Sequence, residues 1–151
     1  MLDSTPSFGD VSHVIQLALA PAFLLTAIAG MLNVMTGRLA RIIDRGRYVA
    51  DQFSKSGSVD FESYEIEQGY LECRRYLASS AITACTLSAL LVCLVIAVLF
   101  VKAILGLEIK WVVGSLFVSS TLALTVGLSF FLREVHFATK TVRIIIPKNT
   151  K

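Results

Sequence analysis

The chain has 151 residues, of which 55% are hydrophobic and 17% charged, with a formal net charge of +3 and a mean hydropathy of +0.71. Soluble domains carry about a quarter charged residues, so this balance argues against a water-filled surface on all sides. The charges are also segregated: no Asp, Glu, Lys or Arg occurs from Val11 to Gly37, from Tyr76 to Val101, or from Trp111 to Leu132. Each window exceeds the roughly 20 residues that a helix needs to cross the hydrocarbon core.

The fold expected is all-α: three transmembrane helices at about 12–36, 77–101 and 111–132. They extend into a cytoplasmic helical bundle over about 37–76 (a hairpin) and 133–146, within a single membrane domain, 1–151. The acidic leader MLDSTPSFGD lacks the basic flank of a cleaved signal peptide. Lys and Arg gather after the first span, before the second and after the third, and the other side holds only Lys102 and Lys110. The positive-inside rule therefore puts the N-terminus outside and the C-terminus in the cytoplasm. A nucleic-acid partner is not expected, because the basic residues follow the span ends. Cys85 and Cys93 are about 12 Å apart along one helix, too far for a disulfide.

Along the first helix, Asp10 or Ser12 caps the start and His13 and Gln16 follow at the outer interface. Pro21 frees the carbonyl of Leu17. Ala18, Ala22, Thr26, Gly30, Asn33 and Gly37 recur at three- and four-residue spacing, a small and polar face that admits another helix closely. Two uses compete for it. It packs on the second and third helices with Asn33 as glue, the commoner role for such faces, or it faces other copies of the chain. Beyond Thr36, Leu39, Ile43, Gly46, Ala50 and Phe53 step by four and three as a coiled-coil-like seam. Ser54–Ser58 reads as a turn and Asp60 as the cap of the return helix.

The return helix repeats the rhythm in Ile66, Tyr70, Cys73 and Leu77. It is acidic where the outgoing helix is basic, and folding at Gly57 sets Arg47 near Glu67 and Arg41 near Glu72. In the second span Ala81, Cys85, Ala89, Cys93 and Ala97 form a stripe at four-residue spacing, read as a close-packing face. A tight loop at Gly106–Lys110 leads to Trp111, an interfacial anchor. In the third span Ser119, Ala123 and Gly127 form a small face, and Phe131, Val135, Ala138, Val142 and Ile145 carry the rhythm on until Pro147. Glu134 falls at the level of Arg38 and Arg41, which predicts an interhelical ion pair there.

The segment Leu24–Arg47, with Asn33, Arg38, Arg41, Asp44, Arg45 and Arg47 in the run LNVMTGRLARIIDRGR, resembles the signature of an uncharacterised bacterial membrane family, the domain of unknown function DUF2721. The likeness extends to the layout of three spans and a cytoplasmic hairpin. It implies a bacterial inner-membrane setting, and it brings no activity, substrate or cofactor.

No nucleophile–base constellation is apparent, since His13 and His136 fall on opposite sides of the membrane and Asp10–His13 is an exposed one-turn pair. Neither metal-ligand spacing nor a phosphate loop occurs, so an enzyme is not expected. Two functions remain. In the first, a homo-oligomer forms an ion-permeation path lined by the first helix, with Asp10, His13, Gln16, Thr26, Asn33, Arg38 and Arg41 as lining residues. In the second, a membrane-anchored scaffold or accessory protein uses its cytoplasmic bundle, with Arg45 and Arg47 touching a partner or anionic lipid headgroups.

Overall fold

A computed structural model describes residues 8–56, 61–105 and 110–142, all of them helical: α1 (Phe8–Ser56), α2 (Phe61–Leu105) and α3 (Lys110–Val142). Each holds a stretch long and apolar enough to cross a membrane. With no strand among the described residues, the chain is an all-helical, multi-pass membrane protein. α1 runs unbroken through Pro21; the lost hydrogen bond is tolerable in a membrane helix, where neighbouring groups re-satisfy the freed carbonyl. Helix continues to Ser56, so Ser54–Ser56 are helical where a turn was expected, because nothing there obliges the helix to stop. The Gly57 bend, the Asp60 cap, most of the outer loop, Ile145 and Pro147 lie outside the described residues, as do the side chains of Asp10 and His13.

The helices contribute to two compact units, Met1–Leu32 with Ala84–Thr125 and Asn33–Thr83 with Val126–Lys151. In the first, the inner line of α1 is Ala18, Pro21, Leu25, Ile28 and Leu32; that of α2 is Cys85, Ser88, Val92, Val95 and Leu99; that of α3 is Val113, Leu116, Ser120 and Ala123. Ile28, Cys85, Val92, Ser88 and Ser120 are all but sealed from the surface. The Ser88 hydroxyl donates to the Ser120 carbonyl at 2.8 Å, joining α2 to α3. In the second unit the inner lines are Met35, Leu39, Ile42, Gly46 and Val49 on α1, Glu67, Leu71, Arg74, Ala78 and Ala81 on α2, and Gly127, Phe131, Glu134 and Ala138 on α3.

Every one of these lines steps by three and four. Seven residues then fall about 20° short of two turns, so a line of this kind keeps facing its neighbours. The stripe expected in the second span steps by four each time and gains about 40° per step. It leaves the core accordingly. Ala81 and Cys85 are buried, but Cys93 and Ala97 are exposed and Ser88 and Val92 take the inner positions.

The expected seams hold in part and elsewhere sit one residue off. On α1 Leu39 and Gly46 stay on the inner line, but the buried residue is Ile42, with Ile43 turned outward; on α2 Leu77 is buried, while Ile66, Tyr70 and Cys73 are exposed and Leu71, Arg74 and Ala78 face in. The expectation came from a two-helix hairpin. A third helix gives α2 a second neighbour and turns its inner line toward both.

Candidate functional site

Glu134 is the one charged side chain among the fully enclosed residues described, at 1% exposure. Isolated, a carboxylate there is prohibitive, and it persists by being fully paired. The Arg38 Nη1 donates to its Oε2 at 3.1 Å. Arg74 donates to Oε1 through Nη2 at 2.9 Å and Nε at 3.3 Å. Both carboxylate oxygens are thus occupied, and one side chain from each helix meets at a single point of the second unit. The Arg38 guanidinium also lies 5.6 Å from the centre of the Phe131 ring, within cation–π range. Phe131 precedes Glu134 by one turn, so α3 offers Arg38 a carboxylate and an aromatic face together. The cluster keeps one positive charge more than it cancels, and that surplus is on arginines that are partly exposed.

Arg38, expected as a lining residue, is turned to Glu134, while Arg41 points outward. Glu67 is taken by Arg45, at 2.9 Å from Nη2 and 3.2 Å from Nε, in place of the expected Arg47. Arg45 also lies over the Tyr48 ring at 5.7 Å. Glu72 pairs with Arg75 one turn along its own helix at 3.5 Å, in place of Arg41. Both corrections follow from the rotated seam, since Glu67 sits on the inner edge of α2 and Glu72 on its outside.

Sequence reasoning missed Arg74. Its signal was present: Arg74, Ala78 and Ala81 lie on one four–three line, and a charge on such a line calls for a counter-charge from a neighbouring helix.

Residues 18–144 match the family described as a protein of unknown function (DUF2721). The chain belongs to the DUF2721 family. The match takes in Arg38, Arg74 and Glu134, so the whole cluster lies inside the DUF2721 region. No curated protein and no solved structure matches the chain.

The remaining lining residues lie along α1. Gln16, Thr26 and Asn33 are exposed, as are Ala22, Gly30 and Gly37 between and beside them. Apart from the local backbone of α1 itself, no heavy atom lies within 4 Å of where a Cβ would stand at Gly30 or Gly37. Apart from Ala18, which is buried, the small face is therefore not packed on α2 and α3. The inner line through Leu25, Ile28 and Leu32 takes that place, while α2 and α3 supply the small residues of this core, Cys85, Ser88 and Ser120. The Thr26 hydroxyl turns back to the Ala22 carbonyl at 3.3 Å, and that of Thr36 to the Asn33 carbonyl at 3.0 Å. Threonines do this where hydroxyls must be satisfied within their own helix.

Proposed function

We propose that the protein is a non-catalytic homo-oligomer of the bacterial inner membrane whose α1 helices together line an ion-permeation path. The observation that carries this reading is the exposed face of α1, with Thr26, Gly30, Asn33 and Gly37 turned away from the protein's own core. An amide left in hydrocarbon without a partner costs roughly 2–7 kcal/mol. Facing another copy, or water held between copies, removes that cost. Gly30 and Gly37 permit close backbone approach at the same place. Three helices packed on branched side chains leave no route within one protomer, and a cyclic arrangement supplies one. The N-terminus lies outside and the C-terminus inside.

The test is to measure the size of the purified full-length protein in mild detergent and its conductance in planar bilayers. Several copies per particle, with ion flux that falls at least tenfold in Asn33→Leu, are expected. A folded monomer without conductance under any ion gradient would overturn the reading.

A second reading has one observation of its own. Ile66, Gly69, Tyr70, Cys73 and Phe137 line a groove of about 370 Å³ in the second unit, with Glu65 and Arg74 at its edge. Exposed Ile66 and Tyr70 suit a docking partner for a membrane-anchored scaffold, with Arg45, which reaches α2 at Glu67, and Arg47 as further contacts. A monomer in detergent favours this reading over the first.

A further inference from the structure

A second crevice lies in the first unit, where α2 stops and α3 starts. It measures about 430 Å³ and draws walls from all three helices, including Leu17, Pro21, Leu99, Val113 and Phe117. Pockets of this size, about 300–1,000 Å³, are the ones that hold small molecules. Gly114 lines it too, and open space extends beyond the position a Cβ would take. The apolar lining is met by two cations, Lys102 in the last turn of α2 and Lys110 at the first residue of α3. Among the described residues that line the crevice, none is acidic.

An apolar slot with two ammonium groups at the helix ends matches an amphiphile with an anionic head. Helix ends flanking an apolar span lie at the depth of the headgroups, where phosphate is the resident anion, and lysine stems reach along apolar surface to place their charge there. We propose that this crevice holds one acyl chain of an anionic phospholipid, with Lys102 and Lys110 on its phosphate. The crevice has room for one chain, and the second chain stays in the bilayer. Pro21 shapes the wall on the α1 side. The site is distinct from the arginine cluster at Glu134 and does not depend on the permeation reading. A monomeric, non-conducting protein would bind the same lipid.

Native mass spectrometry of the full-length protein in mild detergent tests this, with phosphatidylglycerol, phosphatidylethanolamine of the same chains, and oleate added at equal concentration. Phosphatidylglycerol should remain bound at collision energies that strip the other two. The double variant Lys102→Gln/Lys110→Gln should lose about thirtyfold in relative phosphatidylglycerol affinity, from about five- to sixfold per lysine at a membrane surface. Lys102→Arg/Lys110→Arg should restore the preference, which separates charge from damage to the fold. Gly114→Leu, which fills the slot, should weaken both phospholipids alike. Equal retention of the two phospholipids by the natural chain, stronger retention of oleate, or a glutamine double variant that keeps its preference would each overturn the assignment.

Discussion

At the residue scale the strongest constraint is Glu134. Its carboxylate is sealed and both oxygens are taken by guanidiniums. Removing one member of a buried charged cluster leaves the rest uncompensated, which typically costs 3–5 kcal/mol. Glu134→Ala is accordingly expected to lower the midpoint of thermal unfolding in detergent and the yield of membrane-inserted protein. Replacing the whole cluster, Arg38→Met with Arg74→Met and Glu134→Leu, should recover much of that loss, because well-packed apolar groups of similar size often match a buried ion pair. If the triple replacement is as damaged as Glu134→Ala, the cluster does more than neutralise itself. The Arg38–Glu134 level was open to counting along the sequence, since both lie just past the end of an uncharged run. Arg74 could be placed only by following the four–three line through Ala78 and Ala81, since the seam through Tyr70 and Cys73 points elsewhere.

At the element scale the three helices share one rule, an inner line stepping by three and four. Their existence was legible from uncharged length, because hydrocarbon permits few alternatives to a helix, and their continuation past the uncharged runs from the four-and-three rhythm of the apolar residues there. Rotation was harder to read. In a span that is apolar all round, hydrophobicity does not mark the inner face, and size became the guide. That guide misled at Ala89, Cys93 and Ala97, which keep four-residue spacing and so drift outward, and at the small face of α1, which is exposed. Beyond Arg38 the apolar residues Ile66 and Tyr70 suggested a seam, and charge pairing at Glu67 and Arg74 turned the helix one residue further. The rule is checked by a matched pair of substitutions. Ala81→Leu inserts three heavy atoms where exposure is 0% and is expected to cost about 1–3 kcal/mol by overpacking. Ala97→Leu, on the outer side of the same helix, should leave the unfolding midpoint within about 0.5 kcal/mol of the parent. Equal effects in thermal unfolding would mean that the inner line is drawn wrongly.

At the scale of the whole molecule, orientation in the membrane decides which compartment the arginine cluster serves. The basic residues that flank the spans favour Arg38, Arg74 and Glu134 on the cytoplasmic side. Cys73 is exposed next to Arg74, so it reports on that side directly. In a Cys85→Ala/Cys93→Ala background, a membrane-impermeant maleimide should label Cys73 in inverted vesicles and leave it untouched in intact spheroplasts. Labelling of spheroplasts would reverse the orientation, and with it the placement of both proposed functions. The cluster at Glu134 has a further consequence for how the protein is made. Its members arrive in the order Arg38, Arg74, Glu134, so a nascent chain that has released its first two helices already carries both guanidiniums but not yet the carboxylate that reconciles them. The cluster is therefore completed only when the third helix joins the other two.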